Sequence, residues 1–132
     1  MTERKLSIMI LDDEPIVGKR LKPALEKYAS DVEVEVYEDS SEAVARLNEK
    51  DFDIVVTDVR MDEINGIQVL EHVMSKSKST KVIIITGYAT VEVAREALVK
   101  GAFDFIAKPF KPAELRAVIS KAAKSLGHPG FE

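Results

Sequence analysis

The hydrophobic pattern of this chain switches repeatedly between two rhythms. Residues 6–11 (LSIMIL), 54–56 (IVV, within FDIVVTDVRM at 52–61), 81–85 (KVIII) and 102–107 (AFDFIA) are short, largely apolar runs. Such runs mark strands buried on both faces of a parallel sheet, and these four are read as its interior strands. Residues 32–37 (VEVEVY) instead alternate apolar with acidic positions, which predicts an edge strand with one face in water. Between the strands the period lengthens to that of a helix. Val17, Leu21, Ala24, Leu25 and Tyr28 recur at helical spacing after Pro15, a residue suited to a first helical turn. Ala43, Val44 and Leu47 follow Ser40-Ser41, one of which is expected to cap a second helix. Asn65-Gly66 marks a turn before a third helix with Ile67, Val69, Leu70 and Val73 facing inward. A fourth runs from about residue 91 to residue 100 and is closed by Gly101, and Pro112 opens a fifth carrying Leu115, Val118, Ile119 and Ala122. Five strands alternating with five helices predict an α/β fold with a doubly wound parallel sheet, because parallel neighbours need crossover helices.

Composition narrows this picture. With 132 residues, 45% hydrophobic and 32% charged, the chain fits one domain over residues 1–126, followed by a turn-rich tail at 127–132 that is expected to fray. A formal net charge of -4 argues against a dedicated nucleic-acid surface, which draws its affinity from clustered Lys and Arg. There is no cysteine, hence no disulfide framework, thiolate metal site or cysteine nucleophile. The two histidines, His72 and His128, are too far apart in sequence for a histidine-rich metal site and are expected at the surface. The opening MTERKL leads into too short an apolar run for a signal peptide or a membrane span, so a cytoplasmic protein without membrane contact is expected.

The strand ends carry the chemistry. Asp12 and Asp13 follow the first strand, Asp58 the third, Thr86 the fourth and Lys108 the fifth. An aspartate after a strand is ordinarily a cap or turn former. In a parallel sheet, however, these ends lie side by side at the edge where ligands bind, so the five residues should converge. Carboxylates gathered in one cleft call for a cation, and oxygen-only ligation suits a hard ion such as Mg²⁺, with Mn²⁺ as a substitute. Asp58 is then a candidate nucleophile and metal ligand for phosphoryl transfer, with Lys108 and the Thr86 hydroxyl as donors to phosphoryl oxygens.

These motifs, LDDEP, VVTDVRM, IITGYA and FIAKPF, resemble those of the receiver domains of two-component response regulators, and the likeness runs from Leu6 to Leu126. The resemblance implies a flavodoxin-like strand order 2-1-3-4-5. It also implies phosphorylation of Asp58 by a sensor histidine kinase or phosphotransfer protein. Mg²⁺ would be held by Asp13, Asp58 and the backbone carbonyl of Arg60, with Asp12 acting mainly through the metal's waters. Thr86 and Phe105 take the switch positions, and the fourth helix, fifth strand and fifth helix form the surface read by an output domain, a target protein or a phosphorylation-linked homodimer. Arg60 and Tyr88 are placed to slow hydrolysis of the aspartyl phosphate, and Gly87 to keep the cleft open. The family usually has proline after the methionine of its DxxMP loop; here Asp62 follows Met61. The stretch from Gly87 to Phe110 is similar to receivers that control transcription regulators, and the chain is read as a stand-alone receiver or a piece of a longer regulator.

Three other readings use the same sheet. A phosphorylation-independent interaction module of this fold usually lacks one of the acids or the lysine, and here none is missing. A flavin mononucleotide carrier needs a Ser/Thr/Gly-rich phosphate loop after the first strand, where Asp12-Asp13-Glu14 would repel it. A hydrolase of the haloacid dehalogenase type wants a second acid two residues after its nucleophile, where this chain has Arg60.

Overall fold

Strands and helices alternate along the chain as the hydrophobic pattern predicts: β1 (Leu6–Leu11), α1 (Pro15–Glu26), β2 (Val32–Tyr37), α2 (Ser40–Glu49), β3 (Ile54–Asp58), α3 (Gly66–Lys76), β4 (Lys81–Thr86), α4 (Val91–Val99), β5 (Asp104–Ala107) and α5 (Pro112–Ser125). The computed structural model describes residues 5–26, 32–59, 64–87 and 90–128. Tyr28, expected on the apolar face of α1, lies outside them, as do Arg60, Met61, Asp62 and Tyr88.

The five strands form one sheet in the order β2-β1-β3-β4-β5, every pair parallel. Alternate strand residues feed opposite faces. Ile8, Ile10, Ile54, Val56, Ile83 and Ile85 pack with Leu21 and Leu25 of α1 and with Leu115 and Ile119 of α5. Met9, Leu11, Val55, Val82 and Ile84 pack with Leu47 of α2, Leu70 and Val73 of α3 and Ala97 of α4. Both faces are therefore covered, as strands without polar alternation require.

Three expectations are corrected. The cap of α2 is Asp39, neither Ser40 nor Ser41: its carboxylate accepts the N–H groups of Ser41 (2.8 Å) and Glu42 (3.1 Å). A carboxylate at a helix N-terminus also meets the positive end of the helix dipole, which a serine hydroxyl does less well. Ser40 is buried instead, and its Oγ accepts from Ile64 N at 3.2 Å. The fifth strand begins at Asp104, not Ala102, because the Ala102 N–H is spent on the Ala97 carbonyl (2.9 Å) while Gly101 N–H reaches Leu98 O (3.1 Å). Those two bonds close α4, with Gly101 at φ 107° as the left-handed residue that ends the helix. Finally, the apolar run of β5, read as an interior strand, lies at an edge and is half-buried along most of its length; β2 and β5 flank the sheet in the order 2-1-3-4-5 that the family resemblance implies.

Candidate functional site

The sheet register brings the predicted strand ends together at one edge. Leu11 pairs with Thr57 and Asp58 with Ile85, so Asp12 follows Leu11 beside the end of β3; Thr86 pairs with Ala107, which places Lys108 next to Thr86. The Lys108 N–H donates to the Thr86 carbonyl at 2.9 Å, and Asp12 N–H to the Tyr37 carbonyl at 3.1 Å. Asp12, Asp58 and Thr86 are buried.

The Lys108 ammonium crosses the edge to the acids. Its Nζ lies 2.7 Å from Asp58 Oδ2, 2.7 Å from Asp12 Oδ2 and 2.7 Å from Glu14 Oε1. Asp58 and Glu14 accept hydrogen bonds from it. Asp12 Oδ2 is close enough for an ion pair and is shielded from water, and among the described residues it has no aligned hydrogen bond. The other Asp12 oxygen accepts the Glu14 N–H at 2.8 Å, which ties the turn after β1 to the site.

Burial pushes the Asp12 carboxyl above its ordinary range, against the opposing pull of Lys108 and the Glu14 N–H, and the charge of Asp58 adds to the rise. Burial by itself would lower the lysine, but the close contacts with the carboxylates of Asp12, Asp58 and Glu14 outweigh it and hold the ammonium above its usual value. The lysine is thus a fixed cation.

Oxygen atoms of Asp12, Glu14 and Asp58 all lie within 4.8 Å of one another. Within that group the buried pair Asp12 and Asp58, one of whose oxygens is shielded from water without an aligned hydrogen bond, fits a hard divalent cation such as Mg²⁺, whereas Glu14 is exposed to solvent. Asp13 is exposed and stands outside that group; His72 and His128 are half-buried and also outside it, with His72 Nε2 3.0 Å from Asn48 Oδ1.

Glu14 is the site residue that sequence reasoning missed. The run Asp12-Asp13-Glu14 is plain in the sequence, but the strand-end pattern points only to its first two members. The turn into α1 puts the first and third on Lys108, and only the fold reveals that. Gly66, a turn residue by its sequence, does more. A Cβ there would sit 2.8 Å from the Asp58 carbonyl carbon and 2.9 Å from Val59 Cα, so α3 starts hard against the end of β3 only because the residue is glycine. Asn65 caps that helix in a reciprocal pair with Gln68: Asn65 Oδ1 accepts Gln68 N–H at 2.9 Å and Gln68 Oε1 accepts Asn65 N–H at 2.8 Å.

Phe105 is half-buried and packs on the core side that holds α2, α3 and α4, opposite Ile84 in the register. Among the described residues, a Cβ at Gly87 would meet nothing within 4 Å. Beside Lys108 opens a cleft of about 390 Å³ lined by Glu14, Val17, Arg20, Leu21, Pro109 and Phe110. Among the described residues no helix is long and apolar enough to cross a membrane.

Known proteins resemble this chain in sequence and fold. Residues 8–120 match the family described as the response regulator receiver domain. The transcriptional regulatory protein ZraR of Salmonella typhimurium is 31% identical over 132 residues, 100% of this chain but 30% of that protein. The chemotaxis protein CheY of Listeria monocytogenes is 34% identical over 119 residues, 90% of this chain and 99% of that one. Among solved structures, a CheY-like response regulator receiver domain protein from Methanospirillum hungatei superposes with a TM-score of 0.88 at 27% identity, covering 94% of this chain and 98% of its own. The CheX-CheY-BeF3-Mg complex from Borrelia burgdorferi gives a TM-score of 0.79 at 26% identity, covering 88% and 87%.

Proposed function

The chain belongs to the response regulator receiver domain family, and on that premise we propose that Asp58 accepts a phosphoryl group from a sensor histidine kinase or phosphotransfer protein. Receivers are signalling domains: the product is a changed surface. The observation that carries the reading is Lys108 held 2.7 Å from the buried Asp58 at the sheet's carboxyl edge.

An Asp58 oxygen attacks phosphorus while the P–N bond of a phosphohistidine breaks; the electron pair leaves with the imidazole, which takes up a proton. With a small acyl phosphate a P–O bond breaks and the carboxylate departs. Lys108 spreads its charge over the phosphoryl oxygens, and the Thr86 hydroxyl, at the adjoining strand end, donates to one of them. Asp13, Asp58 and the Arg60 carbonyl would hold Mg²⁺, with Asp12 engaging its waters. When bound, the ion supplies neutralisation between carboxylate and phosphoryl oxygens. Thr86 then draws toward the phosphoryl group and Phe105 moves further inward, which alters the α4-β5-α5 face presented to an output domain, a target protein or a second copy. Arg60, Gly87 and Tyr88 set the access of water, and with it the rate of slow self-catalysed dephosphorylation. The receiver, residues 1–126, makes no nucleic-acid or membrane contact of its own and works in the cytoplasm. The chain spans 30% of ZraR and 99% of the Listeria CheY. Those two relatives support, respectively, a longer regulator and a stand-alone receiver.

Incubation with acetyl phosphate and Mg²⁺ should label the parent on Asp58, and chelation should stop it. Asp58→Asn should be unlabelled; persistent labelling of that variant overturns the assignment.

A further inference from the structure

Resting on the reading of Asp58 as phosphoacceptor, we infer that Glu14 is a positioning residue. Its carboxylate occupies the place on Lys108 that a phosphoryl oxygen takes, and so competes with incoming phosphodonors. The three acids on the lysine are not equivalent. Asp12 and Asp58 are buried, and loss of their counter-charge would strand anions out of water. Glu14 makes the same 2.7 Å approach with a side chain that is 60% exposed. On release it returns to water at small cost, because an exposed ion pair is weak.

An ammonium has three N–H donors and no more. Three carboxylates already surround Nζ at 2.7 Å, so an arriving phosphoryl oxygen competes with them for the ammonium. The solvated one yields. A small donor has only its own phosphate to displace Glu14, whereas a protein donor adds a docking surface. Glu14 therefore biases the domain against small anionic phosphodonors.

The experiment compares initial rates of Asp58 labelling over a range of acetyl phosphate in the parent, Glu14→Gln and Glu14→Asp, at saturating Mg²⁺. The first variant removes the charge; the second keeps it but shortens its reach to Lys108. Both should lower the half-saturating acetyl phosphate concentration by about two- to fivefold, the range an exposed ion pair supports, with the maximal rate unchanged. Half-saturating Mg²⁺ should not move. Unaltered half-saturation in the variants, or a reduced maximal rate, overturns the inference. So does parental behaviour in Glu14→Asp alone, which would mean that charge acts without contact. Weakened Mg²⁺ binding in Glu14→Gln would assign the residue to the metal and overturn the inference as well. A labelled parent with unaffected variants removes only the role of Glu14; a parent never labelled on Asp58 removes the phosphoacceptor reading together with it.

Discussion

At Lys108 a single cation meets three carboxylates, two of them out of water, and the balance of charge there bears on stability as well as on chemistry. Removing the lysine takes its charge away from Asp12 and Asp58, which are buried side by side, a mechanism that costs more than the loss of a surface ion pair. Lys108→Met should therefore destabilise the metal-free protein by about 1–3 kcal/mol at neutral pH. Urea unfolding in the presence of a chelator would measure this, and adding Asp12→Asn should restore part of the loss, because two residues in contact couple rather than add. A double variant no better than the single one would show that the two groups act independently. Asp12, Asp58, Thr86 and Lys108 are legible in the sequence because each ends a strand. Glu14 is not, since which side chain of an acidic turn faces the cleft depends on how that turn enters α1.

Among the elements, the entry to α3 ties the sheet most closely to the site. Asn65 and Gln68 close the helix N-terminus locally, and Gly66 lets the first turn rest against the Asp58 carbonyl. Replacing glycine by alanine near a helix start ordinarily stabilises by up to about 1 kcal/mol through the unfolded chain. Here the added Cβ meets backbone that has no alternative rotamer, so the sign should reverse. Gly66→Ala should cost about 1–3 kcal/mol in thermal or urea unfolding, and it should slow Asp58 labelling because the end of β3 must shift. An alanine variant as stable as the parent would show that α3 can slide away freely. The Asn65-Gly66 pair announces a turn in the sequence; its second purpose is hidden there, because the backbone it approaches comes from the preceding strand. The cap at Asp39 is also readable in principle, and Ser40 misleads because its hydroxyl serves the chain after β3 rather than its own helix.

At the scale of the whole molecule, the large exposed apolar side chains among the described residues gather on α4. Val91, Leu98 and Val99 are 70%, 53% and 80% exposed on a helix next to the edge strand β5. The two sheet faces are closed by helices, and a contiguous exposed apolar patch of this kind suits contact with another protein. If phosphorylation links to self-association, beryllofluoride with Mg²⁺ should raise the sedimentation mass of the parent toward that of a dimer, while Asp58→Asn stays monomeric. An unchanged parental mass would assign the face to an output domain or another protein.

The sequence by itself determined the element order, the parallel class of the sheet, the buried strand residues and the acid, hydroxyl and lysine at the strand ends. These follow from local facts: the period of apolar residues, the turn and cap chemistry at the boundaries, and the alternation that parallel strands demand. Only the tertiary structure decided that Ala102 is spent closing α4 and that Glu14 joins Asp12 and Asp58 on Lys108, while the neighbour order of the strands came from family resemblance and not from the hydrophobic pattern. Crossover helices can carry the chain to either side of a strand with the same local pattern. Neighbours, and the groups that meet at their ends, are therefore chosen by packing of the whole sheet.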